Sequence, residues 1–264
     1  MKNTNQNNNL RIQIVAIQTI LTKEIIRMFR IWPQTFLPSI ITTALYFLIF
    51  GKFIGSQIQN VGGTSYMQFI VPGLVMMAVI TNSFAHVVSS FYGSKFQKVL
   101  EELLVAPVSY TAMIFGFVFG GVLRGSLVGM MTLFVALFFT HLSIHSVLWV
   151  IFFAIMSSLV FSLAGLINGI YAKKFDQIGI VTTFVLTPMT YLGGVFYSIH
   201  LLRSVWQYVS YFNPVLYIVN GFRYGFLGTS DMSIWYSAAV VTGLAITFFI
   251  WAIYLFVSGR AIKM

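Results

Sequence analysis

The stretch KFQKVLEELLVAP, from Lys95 to Pro107, is a short amphipathic island between two long apolar runs. On a helix of 3.6 residues per turn, Phe96, Val99, Leu100, Leu103 and Leu104 share one face. Lys98, Glu101 and Glu102 share the other. Pro107 marks a stop, because the residue before a proline avoids the α region. Glu101 and Glu102 are two of only five acids in the chain. A plain surface helix on a membrane loop fits this pattern. So does a docking helix that passes force from a soluble partner to the spans on either side.

The surroundings of the island set the class. The chain has 264 residues, 58% hydrophobic and 8% charged, with mean hydropathy +0.90. Soluble domains carry roughly a quarter charged residues. The composition is that of an all-α polytopic membrane protein with one membrane domain. A net charge of +10 can mark nucleic-acid binding, but here the bases lie beside the ends of apolar runs, where topology explains them. The absence of cysteine excludes disulfides and thiolate metal sites.

Working outward, residues 1–9 (MKNTNQNNN) have neither the apolar run nor the cleavage site of a secretory signal, and read as a disordered cytoplasmic tail. Residues 10–30 carry a stripe of Leu10, Ile14, Ile17, Leu21, Ile25 and Met28, with Arg11, Lys23, Arg27 and Arg30 off it. This predicts a helix lying on the membrane surface, basic side towards anionic headgroups. Six apolar spans are expected at 35–53, 66–92, 111–139, 147–170, 178–197 and 234–257. A polar loop covers 51–65. Gly121, Gly125 and Gly129 form a ridge for close helix packing in the third span. The segment 198–231 is too polar to span and too apolar for a free loop. With breaks at Asn213-Pro214 and Gly221, it reads as two short re-entrant helices in the outer leaflet.

With the first residues inside, eleven bases fall on the inner side and three (Lys52, Arg203 and Arg223) on the outer. That asymmetry places both termini, and the island, in the cytoplasm. Arg124 is left within the third span. It either reaches the surface by snorkelling or is held by a carbonyl or carboxylate partner. Polar residues also recur on three spans: Thr42, Thr43 and Tyr46 on the first, Asn82 and His86 on the second, Thr183, Thr187 and Tyr191 on the fifth. They face neighbouring helices or line a path.

Several chemistries find no support. The chain has no G-x-x-x-x-G-K-[ST] loop, and His86, His141, His145 and His200 lack metal-ligand spacing. No acid lies in a span, against an ion-coupled secondary transporter. A membrane-embedded lipid-modifying enzyme would need a polar cluster. The only place for one, 198–231, offers no known constellation. The chain alone is not expected to be an enzyme.

Four stretches resemble the permease subunit of the ABC type-2 export family, closest to small bacterial drug- and nodulation-factor-type exporters. They are YMQFIVPGLVMM from Tyr66, FQKVLEELLVAPVS from Phe96, LTPMTYLGGVFYS from Leu186 and FNPVLYIVNGFRYGFLG from Phe212. The pairing of acid-acid, two apolar and proline with Asn213, Pro214, Gly221, Phe222 and Arg223 is the most specific part. The resemblance implies a bacterial inner-membrane protein with a cytoplasmic coupling helix at 95–105 and re-entrant helices before the last span. It implies two permeases, simplest as a homodimer, joined to two copies of an ABC ATPase that binds ATP and Mg. No cofactor is expected in this chain. The path would run between the permeases, walled mainly by spans one, two and five, and carry an amphipathic or lipid-like substrate outward. Nucleic acid is not an expected partner; membrane lipid is.

Overall fold

The computed structural model describes residues 2–55, 60–61 and 63–260. The rest of the 51–65 loop, 56–59 and 62, and Lys263 of the charge count lie outside the described residues. The fold is all-α. Its helices are α1 (Lys2–Arg30), α2 (Trp32–Tyr46), α3 (Tyr66–Phe96), α4 (Val99–Val105), α5 (Tyr110–Ala136), α6 (Val147–Tyr171), α7 (Phe175–Val181), α8 (Thr187–Tyr191), α9 (Ser204–Tyr211), α10 (Pro214–Leu227) and α11 (Ile234–Val257). A hairpin pairs Asn60 with Ser65 and Val61 with Thr64.

Among the described residues five helices are long and apolar enough to cross a membrane: α2 with the turn after it, α3, α5, α6 and α11. The expected fifth span is divided. α7 passes through a π-helical turn, Thr182–Leu186, into α8, and the chain breaks after Tyr191. Pro188 at the start of α8 removes a backbone donor there, and Gly194 turns the chain at φ +72°. A second π-helical turn, Phe47–Ile54, ends the first span.

α3 is the axis of the bundle, buried along most of its length against α5 and α6. Two observations explain how the three pack so closely. The glycine ridge of α5 faces α3 and α6: a Cβ on Gly121 would meet Val87 and Ser162, on Gly125 Ser83 and Ser158, and on Gly129 Val79. Each four-residue step up α5 is thus a four-residue step down α3, as antiparallel ridges require. From α6, Gly165 approaches so closely that a Cβ would lie 2.6 Å from the Phe84 carbonyl oxygen.

Three expectations about the first hundred residues are corrected. The helix begins at Lys2, so the backbone of the expected disordered tail continues α1. α1 also does more than lie on a surface, since one side of it packs into the bundle. Ile20, Glu24 and Met28 are buried. They run along α5, Ile20 against Gly116, Glu24 against Gly120 and Met28 beside Val128. Leu10 and Ile14 of the expected stripe are exposed. Finally, the island is not one helix from Lys95. Lys95 and Phe96 complete α3, and Lys98 in the left-handed region (φ 61°) breaks the chain before α4.

At 1.5 Å per residue α3 is about 46 Å long and α5 about 40 Å, more than the ~30 Å apolar layer needs. The excess carries the charged α3–α4–α5 turn clear of it. The α3–α6 contact leaves no room at Gly165, because the opposing atom is backbone. Gly165→Ala is expected to lower stability in detergent by about 1–3 kcal/mol. Gly243→Ala, where nothing lies within 4 Å, should be neutral or slightly stabilising. Equal midpoints for the two variants in a thermal unfolding assay would refute this packing.

Candidate functional site

The polar side chains buried where α1, α3 and α5 meet form one cluster. The Glu24 carboxylate lies 3.0 Å from His86 Nε2 and 3.9 Å from Arg27 Nη1, and accepts a hydrogen bond from the Ser90 hydroxyl. Arg27 also donates to Ser89 Oγ (3.2 Å). Arg124, at the middle of α5, donates from Nη2 to Asn82 Oδ1 (3.3 Å), and Asn82 Nδ2 donates to Ser39 Oγ of α2 (3.1 Å). The amide oxygen of Asn82 is thus the partner that Arg124 finds. Burial alone would raise the Glu24 pKa; the His86 and Ser90 hydrogen bonds and the charges on His86 and Arg27 outweigh it and hold the carboxyl below its ordinary value.

Asn82 also opens onto a cleft of about 200 Å³ between α2 and α3, lined by Ser39, Thr42, Thr43, Tyr46 and Thr81. The polar stripes of the first two spans therefore meet at Asn82. His86 turns away, to Glu24. From the fifth helical run only Tyr191 reaches this neighbourhood, its hydroxyl 3.0 Å from that of Tyr46. Tyr46, Phe50, Tyr191 and Phe196 stack around that contact. Thr183 and Thr187 are exposed and do not line the cleft.

At the cytosol-facing turn expected from the charges, α4 keeps the expected split of faces and seats the apolar one in the chain's own bundle. Leu100 is buried among Phe91, Met113 and Ile170, with Leu103 and Leu104 packed against the same cluster and Val99 half-buried. The apolar face is filled by the chain's own helices, leaving it no groove in a partner to occupy. Glu101, Glu102, Pro107, Phe96 (72% exposed) and Val105 (89% exposed) point outward.

Two side chains that sequence reasoning passed over hold the turn. Gln13 of α1 donates to Pro107 O (3.0 Å) and accepts from Ser109 N–H (2.7 Å). Lys95 is buried and donates from Nζ to Ile170 O (3.0 Å), meeting the free carbonyls at the C-terminal end of α6. A glutamine and a lysine in polar surroundings carry no signal of their own. Their partners lie 94 and 75 residues away.

The residues singled out in the 198–231 segment are built into the fold. Asn213 caps α10, accepting from Val215 N–H (3.0 Å) and donating to Met189 O (2.6 Å), with Pro214 in the first turn. Gly221 leaves room for the Phe153 ring, and Phe222 is core. Arg223, counted above among outer-side charges, is instead buried. It donates to Gly194 O (2.7 Å) and Phe69 O (3.2 Å), with its guanidinium 3.8 Å from the Phe69 ring centroid. Two backbone carbonyls, one at the turn after α8 and one in the first turn of α3, give this cation its partners. Asn220 and Asp231 close the segment: Asp231 N–H donates to Asn220 Oδ1 (2.8 Å), and the Asp231 carboxylate accepts from Ser198 Oγ (2.9 Å) and Ile199 N–H (3.1 Å). Among the described residues no three potential ligands gather to hold a metal.

Because the folded pKa of Glu24 lies below its unfolded one, its stabilisation is fully present above the unfolded value, about 4, and is lost as pH falls through the folded value. Glu24→Gln should therefore cost about 3 kcal/mol at pH 7. The difference from the parent should shrink on acidification to below pH 4 in a detergent unfolding assay. A gap that does not change with pH would refute this role.

The comparisons agree with this architecture. Residues 15–227 match the family model described as ABC-2 type transporter. The chain is 51% identical over 249 residues to the inner membrane transport permease YadH of Escherichia coli K12, covering 94% of this chain and 97% of that protein. Nodulation protein J of Rhizobium meliloti is 24% identical over 77% of this chain and 79% of its own length. That of Neorhizobium galegae is 22% identical over 75% and 76%. The chain is a multi-pass transport permease of the ABC-2 type transporter family.

Proposed function

We propose that this chain is the membrane-spanning subunit of an ATP-driven exporter of the bacterial inner membrane, moving an amphipathic or lipid-like substrate outward between two identical copies of itself. The single observation that carries the reading is the α4 turn. Its apolar face is seated in the bundle by Leu100, its end is latched to α1 by Gln13, and the patch presented outward at the turn, Phe96, Glu101, Glu102 and Val105, is exposed among the described residues. A seated helix with a free, mixed acidic and apolar face suits a lever worked from outside. Two copies of an ABC ATPase would dock there and bind ATP and Mg, for which this chain has no phosphate loop.

In this reading the run from Phe175 to Tyr191 supplies the sixth crossing, and α9 and α10 dip into the outer leaflet. Closure of the ATPase pair moves α4 against α3 and α5, and α1 follows through Gln13. The aromatic contact between Tyr46 and Tyr191 joins spans one and five beside the path. The names of the relatives, a transport permease and a nodulation protein, support transport as the activity.

Two measurements test this. With the cognate ATPase co-expressed, Glu101→Ala combined with Glu102→Ala should lower permease-stimulated ATP hydrolysis about tenfold while leaving the permease's own melting midpoint unchanged. The two side chains are exposed, so the loss belongs to docking. Unchanged stimulation counts against the lever. For topology, the chain lacks cysteine, so single probes are unambiguous. A membrane-impermeant maleimide should label Trp206→Cys in intact cells, and Glu101→Cys only after lysis. Labelling of the Glu101→Cys protein in intact cells would invert the arrangement.

A further inference from the structure

The cluster at α1, α3 and α5 does not balance its charge. Two guanidiniums, Arg27 and Arg124, share one carboxylate, and Glu24 spends its oxygens on His86, Ser90 and Arg27. Arg124 receives none of it. Its only hydrogen bond is to the neutral amide of Asn82, and its Nε is buried with no partner among the described residues. Arg27 and Arg124 reach polar side chains of the same helix, Ser89 and Asn82, about two turns apart on α3. An unmatched cation at the centre of a membrane helix is costly and calls for an anion. Neither arginine is sealed: the Arg27 side chain is 36% exposed, and Arg124 is partly open.

Asn82 connects Arg124 to the cleft. Its amide oxygen holds Arg124, while its amide nitrogen reaches Ser39 on the cleft wall. From there the cleft becomes apolar along Ala78, Met77 and Leu74. One end thus offers an amide and hydroxyls, with Arg124 behind the Asn82 amide, and the other a hydrocarbon wall, the pattern of a molecule with a charged head and an apolar body. Arginine forks match the oxygens of phosphate in particular.

We propose that Arg124 and Arg27 form a binding site for the phosphate-type oxyanion headgroup of an amphiphile whose apolar part lies in the cleft between α2 and α3. Asn82 positions Arg124, and Ser39 and Thr42 are within the same wall for the headgroup's remaining oxygens. The site makes the cargo anionic at one end. It deepens the exporter reading, on which it rests for calling the ligand cargo; the binding itself requires no ATPase.

The test uses the purified full-length permease in neutral detergent, with dodecyl phosphate as probe and native mass spectrometry as readout. Arg124→Gln and Arg27→Gln should each weaken dodecyl phosphate binding about tenfold or more, the worth of one charge-assisted hydrogen bond. Arg124→Lys keeps the charge but not the fork and should retain only part of it. Binding of octyl glucoside, a neutral-headed probe, should not change in any variant. Should Arg124→Gln fail to fold, Arg27→Gln carries the comparison, since its side chain is the more open of the two. Unchanged dodecyl phosphate binding in Arg27→Gln, an equal loss for the neutral probe, or inorganic phosphate competing as well as the amphiphile would each overturn the proposal. Binding lost with ATPase coupling intact refutes the site alone; coupling absent with binding intact refutes only the exporter reading.

Discussion

The ionised carboxylate of Glu24, buried where three helices meet, is the constraint on which the arrangement of the first half of the chain depends. A charge with almost no contact to solvent persists only when donors surround it. Here His86 and Ser90 of α3 and Arg27 of α1 supply them. Gly120 of α5 makes the space, since a Cβ there would crowd both Glu24 and His86. One ion-paired site thereby fixes the register of α1 on α5 and its height against α3. A slip by one helical turn would leave the carboxylate against Ile or Met side chains, at a cost of several kcal/mol.

That register has a mechanical consequence. α1 is held to the bundle at Glu24 and to the α4–α5 turn at Gln13, eleven residues apart in one helix, roughly 16 Å. α4 is held to the bundle by Leu100, and the α3 end beneath it to α6 by Lys95. A push on the outward face of α4 therefore cannot be absorbed locally. It is shared among α1, α3, α5 and α6, because each neighbour of the turn is tied by a buried or bidentate contact. The first span, by contrast, is among the least buried helices and ends in a π-helical turn, which leaves it and the interrupted Phe175–Tyr191 run the freest to move.

The all-α, multi-pass class was legible in the sequence because apolar runs of about twenty residues have few alternatives, and the glycine ridge of α5 was legible because period four on a helix means one face. What faced that ridge was not. Amphipathicity says that a face is buried, not against what: the stripe of α4 belongs to the chain's own core. The stripe of α1 was drawn through Leu10 and Ile14 and left out the buried Glu24. Only the pairing with His86, 62 residues on, reverses that, and it has no local trace. The burial of Arg223 was hidden for the same reason. A cation in an aromatic, glycine-rich stretch reads as surface until the turn at Gly194 supplies carbonyls to receive it.

These misreadings share a cause that bears on function. In a chain with five acids and fifteen bases, most cations cannot find a carboxylate. The fold answers with carbonyl oxygens for Lys95 and Arg223, and with an amide oxygen for Arg124. The first two solutions are complete: Lys95 meets the free Ile170 carbonyl at the end of α6, and Arg223 the Gly194 and Phe69 carbonyls. The third is not. Asn82 is shared with Ser39 and Ala78, and offers Arg124 a single long hydrogen bond. The two buried cations therefore hold the structure together. The remaining one stands beside the polar cleft with donors to spare, which is the state of a residue waiting for an anion from outside the chain.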